Sequence, residues 1–410
     1  MKVLQINAVF GTKSTGTIVK EIQHQGIING IESYVAYSTS PIDKRLILNG
    51  YQIGGFLGKK WHAVLSRIAG KQAYYSRIAT CRFLRWVNKV NPDIVHLHNL
   101  HSNFININTL LRYLADNDIP TVITMHDCWY FTGGCFHYSI SNCYGWKKSC
   151  GACPKRYQDT PAYLYDASRR ILYDRIRFLS QIKRLVFVGC SDWIVSQLRQ
   201  SQLKNIGESL RIYNGFDLDV FKPIETDLKD RLGLKGKMVL LGPSSKWHMP
   251  ENKLALDYFA EHMPNNVILL LFGSNETKID VHRNIGYIAY ASSPKEMAEL
   301  YSMADVMVNC SYEDTLSSLN LEAQACGTPV VTYDSTGSKE TVDGVCGFAV
   351  ETGNYECLFN TAMDFIINSK IDISYLCRRF IQQKFDKFIN YKLYIDLYKD
   401  ITSDALNSHH

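Results

Sequence analysis

The chain has 410 residues, more than one hydrophobic core usually holds, so two domains are expected. Its 46% hydrophobic and 20% charged residues are ordinary for a globular protein. A formal charge of +6 is too small to mark a nucleic-acid binder, though it suits an anionic ligand or an acidic membrane surface. No apolar run nears the ~20 residues of a membrane span. The opening residues 1–7 read as a strand rather than a signal peptide, and the expected location is cytoplasmic. Without a secretion signal, twelve cysteines read as thiols or metal ligands rather than a disulfide framework.

Taken in order, short β-branched runs at 3–6, 34–37, 94–97, 121–125 and 185–188 predict strands. A second series follows at 238–241, 267–272, 306–308, 330–332 and 348–350. The runs are continuous rather than alternating, as in strands buried on both faces of a parallel sheet. Helical patterns fall between them, at 18–25 before Gly26 and at 295–303. The pattern predicts an α/β doubly wound architecture, present twice. The seam is expected near 200–235, where Asn214, Gly215, Asp217 and Pro223 mark turns and the charged stretch 225–237 reads as a first helix of the second domain. The predicted domains are 1–205, 206–375 and a helical tail, 376–410, whose aromatics recur at helical spacing. His409 and His410 read as a tag remnant.

The sharpest local pattern runs from Glu313 to Val331. A strand leads into a loop with Glu313 and Asp314. Thr315, Ser317 and Ser318 are residues of the kind that open helices. Leu319, Leu321, Ala323 and Ala325 belong to that helix, and Gly327 ends it before Pro329 leads the next strand. The free N–H groups of such a helix start suit a phosphate, and carboxylates at 314 and 322 suit sugar hydroxyls and a ribose.

This stretch resembles the signature of the retaining GT-B glycosyltransferases of family 4: two acids seven residues apart, then a segment like LEAxACGTPVV. Here Asp314 and Glu322 have that separation. The family's usual first acid is Glu, so the role falls on Asp314 or its neighbour Glu313. The resemblance extends through the segments around 190–223, 92–101, 124–135 and 336–340. It implies the GT-B fold, two Rossmann-like domains facing across a cleft, with C-terminal helices packing back on the body. It implies transfer of a sugar from a nucleoside-diphosphate sugar to a hydroxyl acceptor, with retention and without a catalytic cofactor or metal.

The same resemblance distributes roles. Ser317, Ser318, Leu319 and Glu322 would hold the donor. Lys253, at the family's lysine position, would neutralise the diphosphate, with Lys246 in place of a missing arginine. Residues 286–291 would seat the base. The loop after strand one is neither a Walker A loop, since Thr17 stands where a lysine is required, nor a GxGxxG fingerprint. Its Gly16 and Thr15 read as donor contacts, glycine allowing close backbone approach. His126 would face the transferred sugar or the acceptor, with His98, His101 and Asp127 on the acceptor side. His96 reads as structural, and His101 stays open between the two readings. The acceptor expected from family habit is a glycan or lipid-linked glycan, which would make the enzyme peripheral to the inner face of a membrane.

Cys135, Cys143, Cys150 and Cys153 carry one CxxC within an excursion of the chain at about 128–155 that shows no large core of its own. A structural zinc is expected there, with free thiols or oxidised pairs as the alternative. Two rival functions remain: a nucleotide-sugar epimerase and a non-catalytic nucleotide-sugar binding protein. A dehydrogenase is disfavoured by the absent GxGxxG.

Overall fold

The computed structural model describes residues 1–159, 161–280, 284–289, 291–368 and 373–407. It divides into two compact units: unit 1 is Met1–Asn214 with Phe388–His410, and unit 2 is Gly215–Lys387. The division thus falls at Asn214 rather than 205. The tail expected from 376 is split, its last helix belonging to unit 1.

Unit 1 holds β1 (Lys2–Val9), β2 (Glu32–Thr39), β3 (Gly50–Gln52), β4 (Ile94–Leu97), β5 (Thr121–Met125), β6 (Leu185–Gly189) and β7 (Glu208–Arg211). They form one parallel sheet of order β3-β2-β1-β4-β5-β6-β7. Its helices are α1 (Lys13–Ile28), α2 (Phe56–Ala69), α3 (Arg77–Val90), α4 (Ile107–Asp116), α5 (Ser168–Leu179) and α6 (Asp192–Gln200).

Unit 2 holds β8 (Met238–Pro243), β9 (Val267–Ser274), β10 (Lys278–Asp280), β11 (Ile285–Ala289), β12 (Val306–Asn309), β13 (Val330–Tyr333) and β14 (Gly347–Val350). Their order is β10-β11-β9-β8-β12-β13-β14, parallel except for β10 against β11. Its helices are α7 (Leu228–Arg231), α8 (Ser244–Trp247), α9 (Lys253–His262), α10 (Pro294–Met303), α11 (Ser318–Ala325), α12 (Tyr355–Asn368) and α13 (Ile373–Lys384); α14 (Lys387–Asn407) follows. The stretch 225–237 yields only the four residues of α7, because the chain turns back at Gly233, whose N–H bonds Asp230 O at 3.0 Å. No described helix is long and apolar enough to cross a membrane.

Alternation along the strands explains the layers. Leu240, Leu269, Leu271, Val306 and Val308 pack into one core with Trp247, Phe259 and Leu358. Their neighbours Val239, Leu241, Ile268, Leu270 and Met307 pack into a second core with Ala298 and Tyr301. Successive side chains of a strand point to opposite faces, so a continuous apolar run feeds both cores. In unit 1, Val3, Ile94, Val122 and Val188 are covered by Tyr391, Tyr394, Ile395 and Tyr398 of α14. The tyrosines also serve buried polar groups. The Tyr398 hydroxyl lies 2.6 Å from His96 Nδ1, and Thr124 Oγ1 lies 2.7 Å from His96 Nε2 and 3.0 Å from the Tyr394 hydroxyl. His96 is therefore structural. Tyr398→Phe leaves one buried imidazole nitrogen without its partner and is expected to lower stability by about 1–3 kcal/mol, read from the urea midpoint.

Candidate active site

Both sheets reverse strand order at their first strand: β1 lies between β2 and β4, and β8 between β9 and β12. In open α/β sheets ligands gather at the carboxyl ends beside such a switch point.

In unit 2 that place is occupied by the two loops singled out from the sequence. Asn252, just before α9, donates its amide to Lys246 O at 3.0 Å and to Cys310 O at 2.8 Å. It ties the loop after β8 to the end of β12. Burial pushes the Cys310 thiol up, and the charge of nearby Lys246 opposes the shift. Lys253 is exposed at the first position of α9, and the carbonyl of Glu251 two residues earlier accepts the Tyr312 hydroxyl at 3.5 Å.

Past β12 an amide network sets the acidic loop. Asn309 Nδ2 donates to Ser317 Oγ at 3.0 Å and to Asn320 Oδ1 at 2.8 Å, while its Oδ1 accepts Ser311 N–H at 3.2 Å. Asn320 Nδ2 continues to Thr341 Oγ1 at 2.9 Å, and Gln324 Nε2 to Thr341 O at 2.6 Å. Asp314 N–H donates to Thr336 Oγ1 at 2.8 Å, and Gly337 N–H to Asp314 O at 2.9 Å. Gly337 is needed there, since a Cβ would stand 1.8 Å from Thr315 O. Asp314 and Glu313 are both half-buried on this loop.

Ser317 precedes α11 without capping it, so the N–H groups of Ser318, Leu319 and Asn320 have no side-chain cap. Two buried hydroxyl oxygens around the loop, Thr315 Oγ1 and Ser338 Oγ, have no hydrogen-bond partner. Glu322 sits one turn into α11 and accepts the Tyr301 hydroxyl at 3.0 Å. Burial raises its pKa to about 7, against that hydrogen bond. Of the segment 286–291, Gly286 to Ala289 lie on β11, where the Tyr287 hydroxyl is 3.4 Å from His248 Nε2; Tyr290 lies outside the described residues.

In unit 1 the histidines form a relay. Gln5 Nε2 donates to Val19 O at 3.2 Å, so its Oε1 faces His98 Nε2 at 3.1 Å and that nitrogen must carry the proton. Burial holds His98 well below its ordinary 6.5, so the ring is neutral and its Nδ1 accepts. His126 Nε2, 3.1 Å from that Nδ1, then donates. Burial lowers His126 to about 4, so it too is neutral and its Nδ1 is left as an acceptor. Beside it, His101 Nε2 lies 3.2 Å from Asp127 Oδ2, and Trp129 N–H donates to Asp127 Oδ1 at 2.8 Å. Burial alone would raise Asp127; the imidazole of His101 and the Trp129 N–H outweigh it and hold the carboxyl below its usual value.

Gly16 lies in the first turn of α1. It is buried within α1, and a Cβ would meet Val9 O at 3.2 Å, so its absence of a side chain lets helix pack on strand. Thr15 is half-buried one residue earlier. Sequence reasoning missed Gln5, Asn309, Asn320, Gln324, Thr315 as a hydroxyl donor and Ser338.

The four cysteines of the expected zinc site lie near one another: Cys150 and Cys153 act electrostatically on Cys135, and Cys143 acts on Cys150 and Cys153. Among the described residues no three or more His, Cys, Asp or Glu side chains are arranged to hold a metal ion, and Cys135, Cys143, Cys150 and Cys153 are free thiols. Burial pushes Cys135 up to about 12 and Cys150 to about 11. The excursion has an aromatic core: Trp129, Tyr130, Phe131, Tyr138 and Trp146 are buried. Arg175 spans it, stacked 3.6 Å from the Trp129 ring centre and donating to the carbonyls of Trp129 and, at 2.8 Å, Thr132.

The buried imidazoles predict acid sensitivity. His62 and His126 titrate near 4 in the fold, and His96 and His98 well below 6.5. In the unfolded chain each binds a proton near 6.5. Between pH 6.5 and about 4 the unfolded state therefore holds more protons, and stability falls as pH falls. The urea midpoint is expected to drop from pH 7 to pH 5, and more gently in a His96→Phe variant.

Two family models match the chain. "Glycosyltransferase Family 4" matches residues 54–220, and "Glycosyl transferases group 1" matches residues 247–368. A protein of Escherichia coli named for glycosyl transfer in colanic acid biosynthesis, WcaC, is 22% identical over 61% of this chain. The match spans about three fifths of that relative, 62% of its length. Among solved structures, sucrose-phosphate synthase of Thermosynechococcus elongatus superposes with a TM-score of 0.67 at 16% identity, covering 98% of this chain and 99% of the other. HepE of Anabaena, solved in complex with UDP and glucose, gives 0.63 at 15% identity, covering 98% and 100%. With one of these models in each unit, and in each unit a parallel-sheet Rossmann-like domain of the GT-B kind, the chain belongs to the family 4 glycosyltransferases.

Proposed function

We propose that the protein transfers a hexose-like sugar from a nucleoside-diphosphate sugar to a hydroxyl acceptor, with retention of configuration, in the assembly of a polysaccharide or glycan. The observation that carries this reading is the end of β12. There the uncapped start of α11, two partnerless buried hydroxyls, the acids Glu313 and Asp314 and the charge of Lys246 gather at the switch point of unit 2. Free N–H groups and hydroxyl donors fit a diphosphate, and the uncapped helix adds its dipole. HepE, similar in fold, was solved with UDP and glucose, and WcaC is named for colanic acid biosynthesis; both support the reading.

The roles follow from the chemistry. The leaving diphosphate gains charge as the glycosidic bond breaks, and Lys253, Lys246 and the α11 N–H groups stabilise it, so no divalent metal is required. Asp314 or Glu313 contacts the transferred sugar, and Glu322 the ribose. Unit 1 supplies the acceptor side. His126, held in one tautomer by Gln5 and His98, presents Nδ1 as an acceptor for a sugar hydroxyl, and His101 with Asp127 stands beside it. The acceptor is a glycan, free or lipid-linked.

A thermal-shift panel of UDP-, GDP- and ADP-sugars tests the donor, since a ligand that binds only the folded state raises its melting temperature. One nucleotide class is expected to shift it. Asp314→Ala and Lys253→Ala are expected to lower kcat/KM by about 10²–10³-fold with the same fold by circular dichroism. EDTA is expected to leave turnover unchanged, and NMR of the product to show the donor's anomeric configuration kept. If no nucleotide sugar shifts the melting point, or if the donor sugar is altered with no acceptor present, the reading fails.

A further inference from the structure

Helix α2 is built inside out. Its buried residues are His62 and Ser66, both polar: His62 Nδ1 pairs with Ser76 Oγ at 2.6 Å, and Ser66 Oγ donates to Asn103 Oδ1 at 2.9 Å. Its apolar residues point to solvent. Leu57 is 72% exposed, Trp61 68%, Val64 45%, Leu65 40% and Ile68 43%. At about 100° per residue these five fall within an arc of roughly 100°, opposite His62 and Ser66. A helix that packs on a core shows the reverse.

The face continues beyond the helix. Tyr163 N–H donates to Arg67 O at 2.7 Å, which sets the exposed Tyr163, Leu164 and Tyr165 beside the last turn of α2. Lys60 and Arg67 border the stripe along one side; Lys60 Nζ lies 4.3 Å from the ring centre of Phe56, itself 70% exposed. The surrounding sequence is one-signed. Residues 44–92 hold ten Lys and Arg and no Asp or Glu, where the chain's average density would place four or five acids.

We propose that this face docks on an anionic lipid surface, with α2 lying in the interface plane and its leucines, valine, isoleucine and tryptophan entering the acyl boundary. An apolar stripe bordered by cations, with tryptophan and tyrosines at its rim, is the chemistry of an interfacial helix. A second copy of the chain is a poor occupant, because a two-fold interface sets this surface against itself and residues 44–92 offer ten cations and no acid to meet them. Lipid docking deepens the reading of a lipid-linked acceptor, but its test reads lipid binding alone and stands or falls without any turnover.

The test is flotation of the full chain with vesicles of phosphatidylcholine, with and without phosphatidylglycerol. Wild type is expected to float with the phosphatidylglycerol vesicles at low salt and to be released at high salt. Leu57→Ser with Trp61→Ser is expected to reduce partition at least about tenfold. Lys60→Gln and Arg67→Gln are each expected to reduce it about fivefold and to weaken its salt dependence. Unchanged circular dichroism checks the fold of each variant. Absence of flotation with phosphatidylglycerol overturns the proposal, as does equal flotation of the Leu57/Trp61 variant. So does a lipid-free dimer in sedimentation velocity that the same variant dissolves, since the face would then be a self-interface.

Discussion

The amide of Asn309 is the constraint from which the unit 2 site hangs. A parallel strand that stops at a switch point leaves the next backbone groups outside the sheet ladder, and buried groups of that kind need partners. Asn309 supplies them without charge: one side of its amide accepts the Ser311 N–H, the other reaches Ser317 and Asn320. Asn320 and Gln324 then carry the same pattern to Thr341, on the turn that follows β13. An amide has a donor end and an acceptor end, so each link fixes the orientation of the next. The loop bearing Glu313 and Asp314 is therefore held from beneath by neutral groups, and Gly337 closes it from the side. A fully paired buried network is rigid, and a network missing one member leaves an unpaired group in low dielectric. The backbone that carries the two carboxylates is thus positioned by neutral groups alone.

Unit 1 solves the corresponding problem with imidazoles, and the difference matters chemically. A neutral imidazole has two tautomers, so a histidine chain by itself has no direction. Gln5 gives it one, because its Nε2 is committed to Val19 O and only its Oε1 is left for His98. The three residues come from β1, the end of β4 and the end of β5, so the relay also ties together the strands at the switch point. Burial is what makes the inference possible. A charged ring would donate from both nitrogens and erase the direction, and burial lowers His98 and His126 far enough to prevent that near neutral pH.

The central strands were legible because they are buried on both faces and therefore read as continuous apolar runs. The strands 121–125 and 330–332 were placed to within a residue of β5 and β13. The edge strands β3 and β10 were not predicted, since Gly50–Gln52 and Lys278–Asp280 are short and carry no such run, and β11 beside β10 was missed with them. The acidic loop and helix α11 were legible from residue types that open and end helices. What lay beneath them was not: Asn309 and Asn320 look like ordinary polar residues until the fold brings strand and helix together. Gly16 shows the ambiguity of a single glycine, which serves close approach of backbone to ligand or of helix to strand by the same lack of a Cβ. The excursion at 128–155 is filled by buried aromatics and one arginine, whose contribution depends on Trp129, Thr132 and Arg175 meeting across more than forty residues.

Helix α2 is the place where folding alone explains least. A fourteen-residue helix is marginal on its own, and most helices gain their stability by burying an apolar stripe. This one is anchored by hydrogen bonds from His62 and Ser66 and ends on Gly70 in the left-handed conformation. Those contacts orient the helix, but they do not recover the roughly 1.5–3 kcal/mol that each large apolar side chain contributes when fully buried. Rotating α2 by half a turn would bury the stripe and strand His62 and Ser66 in water, where they lose little. The inverted orientation is thus specified by polar contacts against the hydrophobic preference. A sequence that holds a stripe outward in this way, within a stretch bare of acids, has its apolar contact partner outside the fold.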